Sequence, residues 1–113
     1  MDKLLDKMKE FLKMDSELPF GEFREYYQAV MDYLQEKYEG MNQEELVQAL
    51  YILQIVAGNA STRAQRKSDV KKKFMKMAEK ASFWCKAINY RLEKEGLSQE
   101  QINAALENIN PEM

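Results

Sequence analysis

Histidine is absent from this chain of 113 residues, and cysteine occurs once, as Cys85. The first absence removes the side chain that most often moves protons at neutral pH, and the commonest nitrogen ligand for zinc or iron. Together the two exclude structural zinc sites of the Cys/His kind. A lone cysteine also excludes an internal disulfide and fits a reducing compartment. Four glycines and two prolines are too few for a turn-dense β-sandwich, and they sit at element boundaries. The longest apolar run, around residues 49–57, is broken by Gln54, so no segment reads as membrane-spanning. The start, Met1-Asp2-Lys3-Leu4-Leu5-Asp6, alternates charge with apolar residues and lacks the apolar core of a signal peptide. The expected location is therefore cytoplasmic.

What the chain does have is 45% hydrophobic and 32% charged residues, the usage of a globular protein, and the length of one domain. The net charge of −2 conceals a strong segregation. Residues 1–58 carry twelve Asp/Glu against six Lys/Arg, whereas Arg63 to Arg91 carry ten Lys/Arg against only Asp69 and Glu79. From Glu93 onward the chain is acidic again. Such a pattern is either an internal clasp, with the carboxylates of the first two helices beside the basic stretch, or a basic binding surface on an otherwise acidic molecule.

Hydrophobic periodicity predicts an all-α bundle of four to five helices, at about 2–14, 22–39, 43–57, 62–95 and 99–109. Leu4, Leu5, Met8, Phe11 and Leu12 give the first its apolar stripe, and Ser16 to Gly21 end it. Phe23, Tyr26, Tyr27, Val30, Met31, Leu34 and Tyr38 line the second, with Gly40 suited to a left-handed C-terminal position. The third is apolar nearly all round from Leu46 to Ala57, which marks it as the buried centre, and Gly58-Asn59 is read as its stop. Asn42 and Glu45 resemble a capping box at its start; Ser98 and Gln101 make another before the fifth helix, which Asn110-Pro111 would end.

The fourth helix reads as the longest, with no breaker before Gly96 and a frayed, projecting start in place of a separate loop. Phe74, Ala78, Ala81, Cys85, Ile88 and Leu92 follow one another at alternating spacings of four and three, an a/d seam suited to packing on the third helix or, alternatively, on a second copy. On the reverse lie Lys72, Lys73, Lys76 and Lys80, and the same line continues as Phe83, Ala87 and Tyr90. Cations followed by rings are what a single-stranded nucleic acid would use, ammonium groups on phosphates and rings on bases. The plainer reading is a solvated lysine face with the rings covered by the fifth helix folding back after Gly96.

Site chemistry is sparse. No Gly-rich phosphate loop, nucleophile elbow or metal-spaced cluster occurs, and the carboxylate pairs Glu22/Glu25 and Glu44-Glu45 lack the histidines of di-metal bundles. Cys85 has no histidine to activate it and reads as a core residue. The expectation is a non-catalytic protein without cofactor or metal: an interaction or regulatory module with a protein partner or with itself, through Tyr26, Tyr33, Phe83, Ala87 and Tyr90. The alternative is a nucleic-acid-binding accessory protein using Arg63, Arg66, Lys67, Lys71, Lys72, Lys73, Lys76 and Lys80 with Phe83 and Tyr90. Both depend on residues 68–92 forming one rod.

Overall fold

The structure, a computed structural model, describes residues 1–109. It is all-α, with five α-helices, one 3-10 turn and no strand among the described residues. By its internal contacts the chain falls into two units, residues 1–42 and residues 43–113.

The first unit holds α1 (Asp2–Leu12), α2 (Phe20–Lys37) and the 3-10 turn Tyr38–Gly40. Helix α1 buries Leu5 and Met8; α2 buries Phe23, Tyr26, Tyr27, Val30, Met31 and Leu34 at the spacing that makes one helical face. The Tyr26 hydroxyl donates to the Leu4 carbonyl at 2.6 Å, and its ring stands edge-on to Phe11 with centroids 5.2 Å apart. Burial raises the pKa of that phenol, so the proton stays on the donor. Tyr26 thus ties the two helices together and is no part of an exposed contact patch, a correction to the sequence reading. Tyr33 is half-buried.

Helix α2 begins two residues earlier than its spacing suggested. Pro19 occupies the N-cap in an extended conformation, and its carbonyl accepts the Phe23 N–H at 3.0 Å. The amide proton proline lacks would have had no helical partner there, so the helix starts directly behind it. Gly21 sits inside the first turn. Gly40 is not left-handed either; among the described residues only Gly96 has a positive φ. The 3-10 turn closes α2 instead, with Met41 N–H on the Tyr38 carbonyl at 3.2 Å.

The second unit contains α3 (Gln43–Ala64), α4 (Lys71–Lys94) and α5 (Gln99–Ile109). Leu46, Leu50, Ile52, Leu53 and Val56 are all at most 1% exposed, so α3 is the apolar core helix. It does not stop at Gly58. The buried line Leu53, Val56, Ala60, Ala64 carries it two turns further, and a glycine inside a helix costs only about 1 kcal/mol against that packing. The chain breaks instead at residues 65–70, which contain neither Gly nor Pro. Arg66, Lys67, Ser68 and Asp69 are exposed, so nothing apolar repays the order a helix would impose. The last turn of α3 tightens, with Gln65 N–H on Thr62 and Arg66 N–H on Arg63.

The long fourth helix expected over 62–95 is therefore two elements. Arg63 closes α3, Arg66 and Lys67 lie in the connection, and α4 proper starts at Lys71. From there it runs unbroken to Lys94. Gly96, at φ 106°, ends it in a Schellman arrangement: Gly96 N–H bonds the Glu93 carbonyl at 3.0 Å and Leu97 N–H the Leu92 carbonyl at 3.1 Å. The capping box of α5 forms as read, Ser98 N–H to Gln101 Oε1 at 2.8 Å and Gln101 N–H to Ser98 Oγ at 3.1 Å. The stop read at Asn110-Pro111 lies outside the described residues.

Candidate functional site

Helix α4 has two faces with opposite fates. Along one, Phe74, Met77, Ala81, Ile88 and Leu92 are buried, while Ala78 and Cys85 are half-buried. This seam packs on α3, and the small Ala60, Ala64 and Ala81, all at most 6% exposed, let the two backbones approach. The Arg63 guanidinium lies over the Phe74 ring, 4.5 Å from its centre, which gives that cation a structural partner inside the unit. Of the two uses read from the heptad spacing, the seam takes the first, packing on α3.

At about 100° per residue, Phe83 and Tyr90 project opposite the middle of that seam. They are 64% and 62% exposed, the two most exposed large hydrophobic residues described. The expectation that α5 folds back over them fails: α5 packs chiefly on α3. The geometry of the turn explains this, because the Schellman end aims Leu97 and Ile102 to the α3 side, where Ile102 is fully buried. Both rings therefore stand on the face away from the packed seam.

The line through the rings is Lys72, Lys76, Lys80, Phe83, Ala87, Tyr90, Lys94, again at spacings of four and three. Lys72, Lys73, Lys76 and Lys80 are exposed. Within residues 43–109, Lys72, Lys76 and Lys80 have no carboxylate in ion-pair distance. Phe83 is set edge-on to the half-buried Trp84, centroids 6.0 Å apart, which orients it. The Lys94 ammonium sits 5.4 Å from the Tyr90 ring centre. Beside the line, Lys86 separates two shallow hollows between α3 and α4. One is lined by Ser61, Ala78, Glu79, Ser82 and Phe83, the other by Leu50, Gln54, Cys85, Asn89, Tyr90 and Glu93. Lys86 and Lys94 were not singled out from the sequence, although continuing the four-three spacing past Tyr90 reaches Lys94.

The start of α4 is electrostatically frustrated. Its first turn is Lys71, Lys72, Lys73, it has no acidic residue, and Val70 at the N-cap offers no side-chain bond. Unpaired N–H groups make this the positive end of the helix, where carboxylates stabilise and lysines cost a few tenths of a kcal/mol each.

Cys85 is a half-buried free thiol. Burial pushes its thiol up to about 11, so the thiolate is scarce at neutral pH. Alkylation by iodoacetamide should be slow at neutral pH and rise steeply as pH approaches that value; rapid labelling of the folded protein at pH ~7, well below a free thiol's ~8.5, would contradict this. Among the described residues, no group of three or more His, Cys, Asp or Glu is placed to hold a metal ion. No helix described is long and apolar enough to cross a membrane. Compared with known proteins, the chain matches no family model, no curated protein and no solved structure.

Proposed function

We propose that this protein is a non-catalytic binding module whose contact surface is the outer face of α4, and that its partner is anionic there. The observation that carries the reading is the exposure of Phe83 and Tyr90 in line with Lys72, Lys76 and Lys80, on a helix whose other face is largely buried. Self-association through the same face is disfavoured by its own charge. Pairing two copies antiparallel about Ala87 sets Lys80 against Lys94 of the other copy, and like charges across an interface repel.

The test is placement of a photo-crosslinking amino acid. Benzoylphenylalanine at position 83 or 90 should yield a defined adduct in producing cells, while the same group at the exposed Arg24 on α2 should not. Absence of any adduct at 83 and 90, or equal labelling at 24, would refute the assignment.

A further inference from the structure

Resting on that reading, we infer that the partner is a single-stranded nucleic acid, with phosphates along Lys72, Lys76 and Lys80 and bases against Phe83 and Tyr90. Each four-residue step along the lysine row advances about 6 Å, a spacing an extended single strand can follow from phosphate to phosphate. The rings then continue the row on the same line. Phe83 and Tyr90 are two turns apart, about 10.5 Å, and the small Ala87 between them leaves room for a base to enter edgewise. Trp84 stands edge-on to the Phe83 ring with centroids 6.0 Å apart and leaves its outer side open to a base. Tyr90 already carries a cation beside its ring, and Lys94 there is a further group for the sugar-phosphate chain.

A protein partner fits the same face less well. Lysine is depleted in protein interfaces, which concentrate aliphatic and aromatic residues at a dry centre. This line has five residues that are lysine or alanine, two rings and no Leu, Ile or Val. Helix-in-groove recognition needs deep apolar pockets for anchors, whereas the hollows beside Lys86 are shallow and mix apolar walls with polar and acidic groups, Glu79 in one and Glu93 in the other. Duplex DNA is read in the major groove by Arg, Asn and Gln along a helix, and the outer line of α4 carries none of them. What remains is backbone charge plus sequence-tolerant stacking, the combination that single-strand binders use.

The experiment is fluorescence anisotropy with mixed-sequence single-stranded DNA, single-stranded RNA and the matching duplex, each of about 10 nucleotides, a length within the range that single-strand modules cover. Salt is held at ~50 mM, where phosphate contacts count most. The full chain is compared with Phe83→Leu/Tyr90→Leu, which keeps the surface apolar but abolishes stacking, and circular dichroism verifies that both are equally helical. Expected are single-strand binding stronger than duplex binding and a loss of about tenfold or more for the leucine pair, from about 1–3 kcal/mol per stacked ring. The ratio of DNA to RNA affinity identifies which strand is preferred. No single-strand binding, preference for the duplex, or undiminished affinity of the leucine pair would overturn the inference. A proteinaceous adduct at position 83 together with no oligonucleotide binding would overturn it too, while leaving the binding-module reading intact.

Discussion

Replacing Ile88 by alanine should lower the stability of the second unit by about 2–5 kcal/mol, whereas Tyr90→Ala, two positions on, should change it by less than about 0.5 kcal/mol. Ile88 is fully buried in the seam against α3, so truncation removes its dispersion contacts and leaves a cavity the backbone cannot close. Tyr90 is 62% exposed, and its loss returns surface to water that was largely there already. The contrast is sharp because both residues share one helix, one neighbourhood and comparable apolar bulk. Urea unfolding followed by the fluorescence of Trp84, the chain's only tryptophan, reads the effect on the unit that contains it. If the two substitutions cost the same, the outer ring is packed and α4 does not have the faces described.

The second large effect concerns salt. Three lysines each neutralising one phosphate of a single strand give a slope of about −2 in log affinity against log salt, at about 0.7 per contact. Affinity should then fall about 20-fold between ~50 and ~200 mM salt. Replacing Lys72, Lys76 and Lys80 together by glutamine should weaken binding at low salt and flatten the slope towards zero. The substitution is at exposed positions without ion partners among the described residues of their unit, so stability is untouched or slightly improved, because Lys72 leaves the first turn at the positive end of the helix. Binding that keeps its salt dependence in this variant would place the phosphate contacts elsewhere, with Lys71 and Lys73 the adjacent cations and Lys94 the next on the line.

Much of the architecture was legible in the residues. The all-round apolar run of α3, the heptad seam of α4 and the Ser98/Gln101 capping box each specify local geometry through burial or paired hydrogen bonds, and each is found. The misreadings came from treating glycine as punctuation. Gly21 and Gly58 lie inside helices because the apolar pattern continues on both sides of them, and a Cβ at either would meet nothing within 4 Å. The true break, residues 65–70, is marked by the lack of any apolar residue from Gln65 to Asp69, a signal that the absence of Gly and Pro masks. Tyr26 shows the same limit from the other side. Its place on the apolar face was readable, but the bond that consumes its hydroxyl comes from Leu4, 22 residues away.

The outer face of α4 was legible as a pattern and undecidable as a surface. Spacing put Lys72, Lys76, Lys80, Phe83 and Tyr90 on one line, yet whether α5 covers the rings depends on the direction in which the chain leaves Gly96. That direction is a backbone property, set by the left-handed turn and by the burial of Ile102, and no side-chain periodicity encodes it. Arg63 was likewise grouped with the other cations, because stacking on Phe74 requires α3 to outlast Gly58.

The most direct test is a titration of isotopically labelled protein with a single-stranded oligonucleotide, followed residue by residue by NMR. The outer-face account predicts perturbations that centre on Lys72, Lys76, Lys80, Phe83, Ala87 and Tyr90, with Ile88 and Leu92 on the seam nearly unmoved. Perturbations centred on α1 and α2, or none anywhere at saturating ligand, would contradict it.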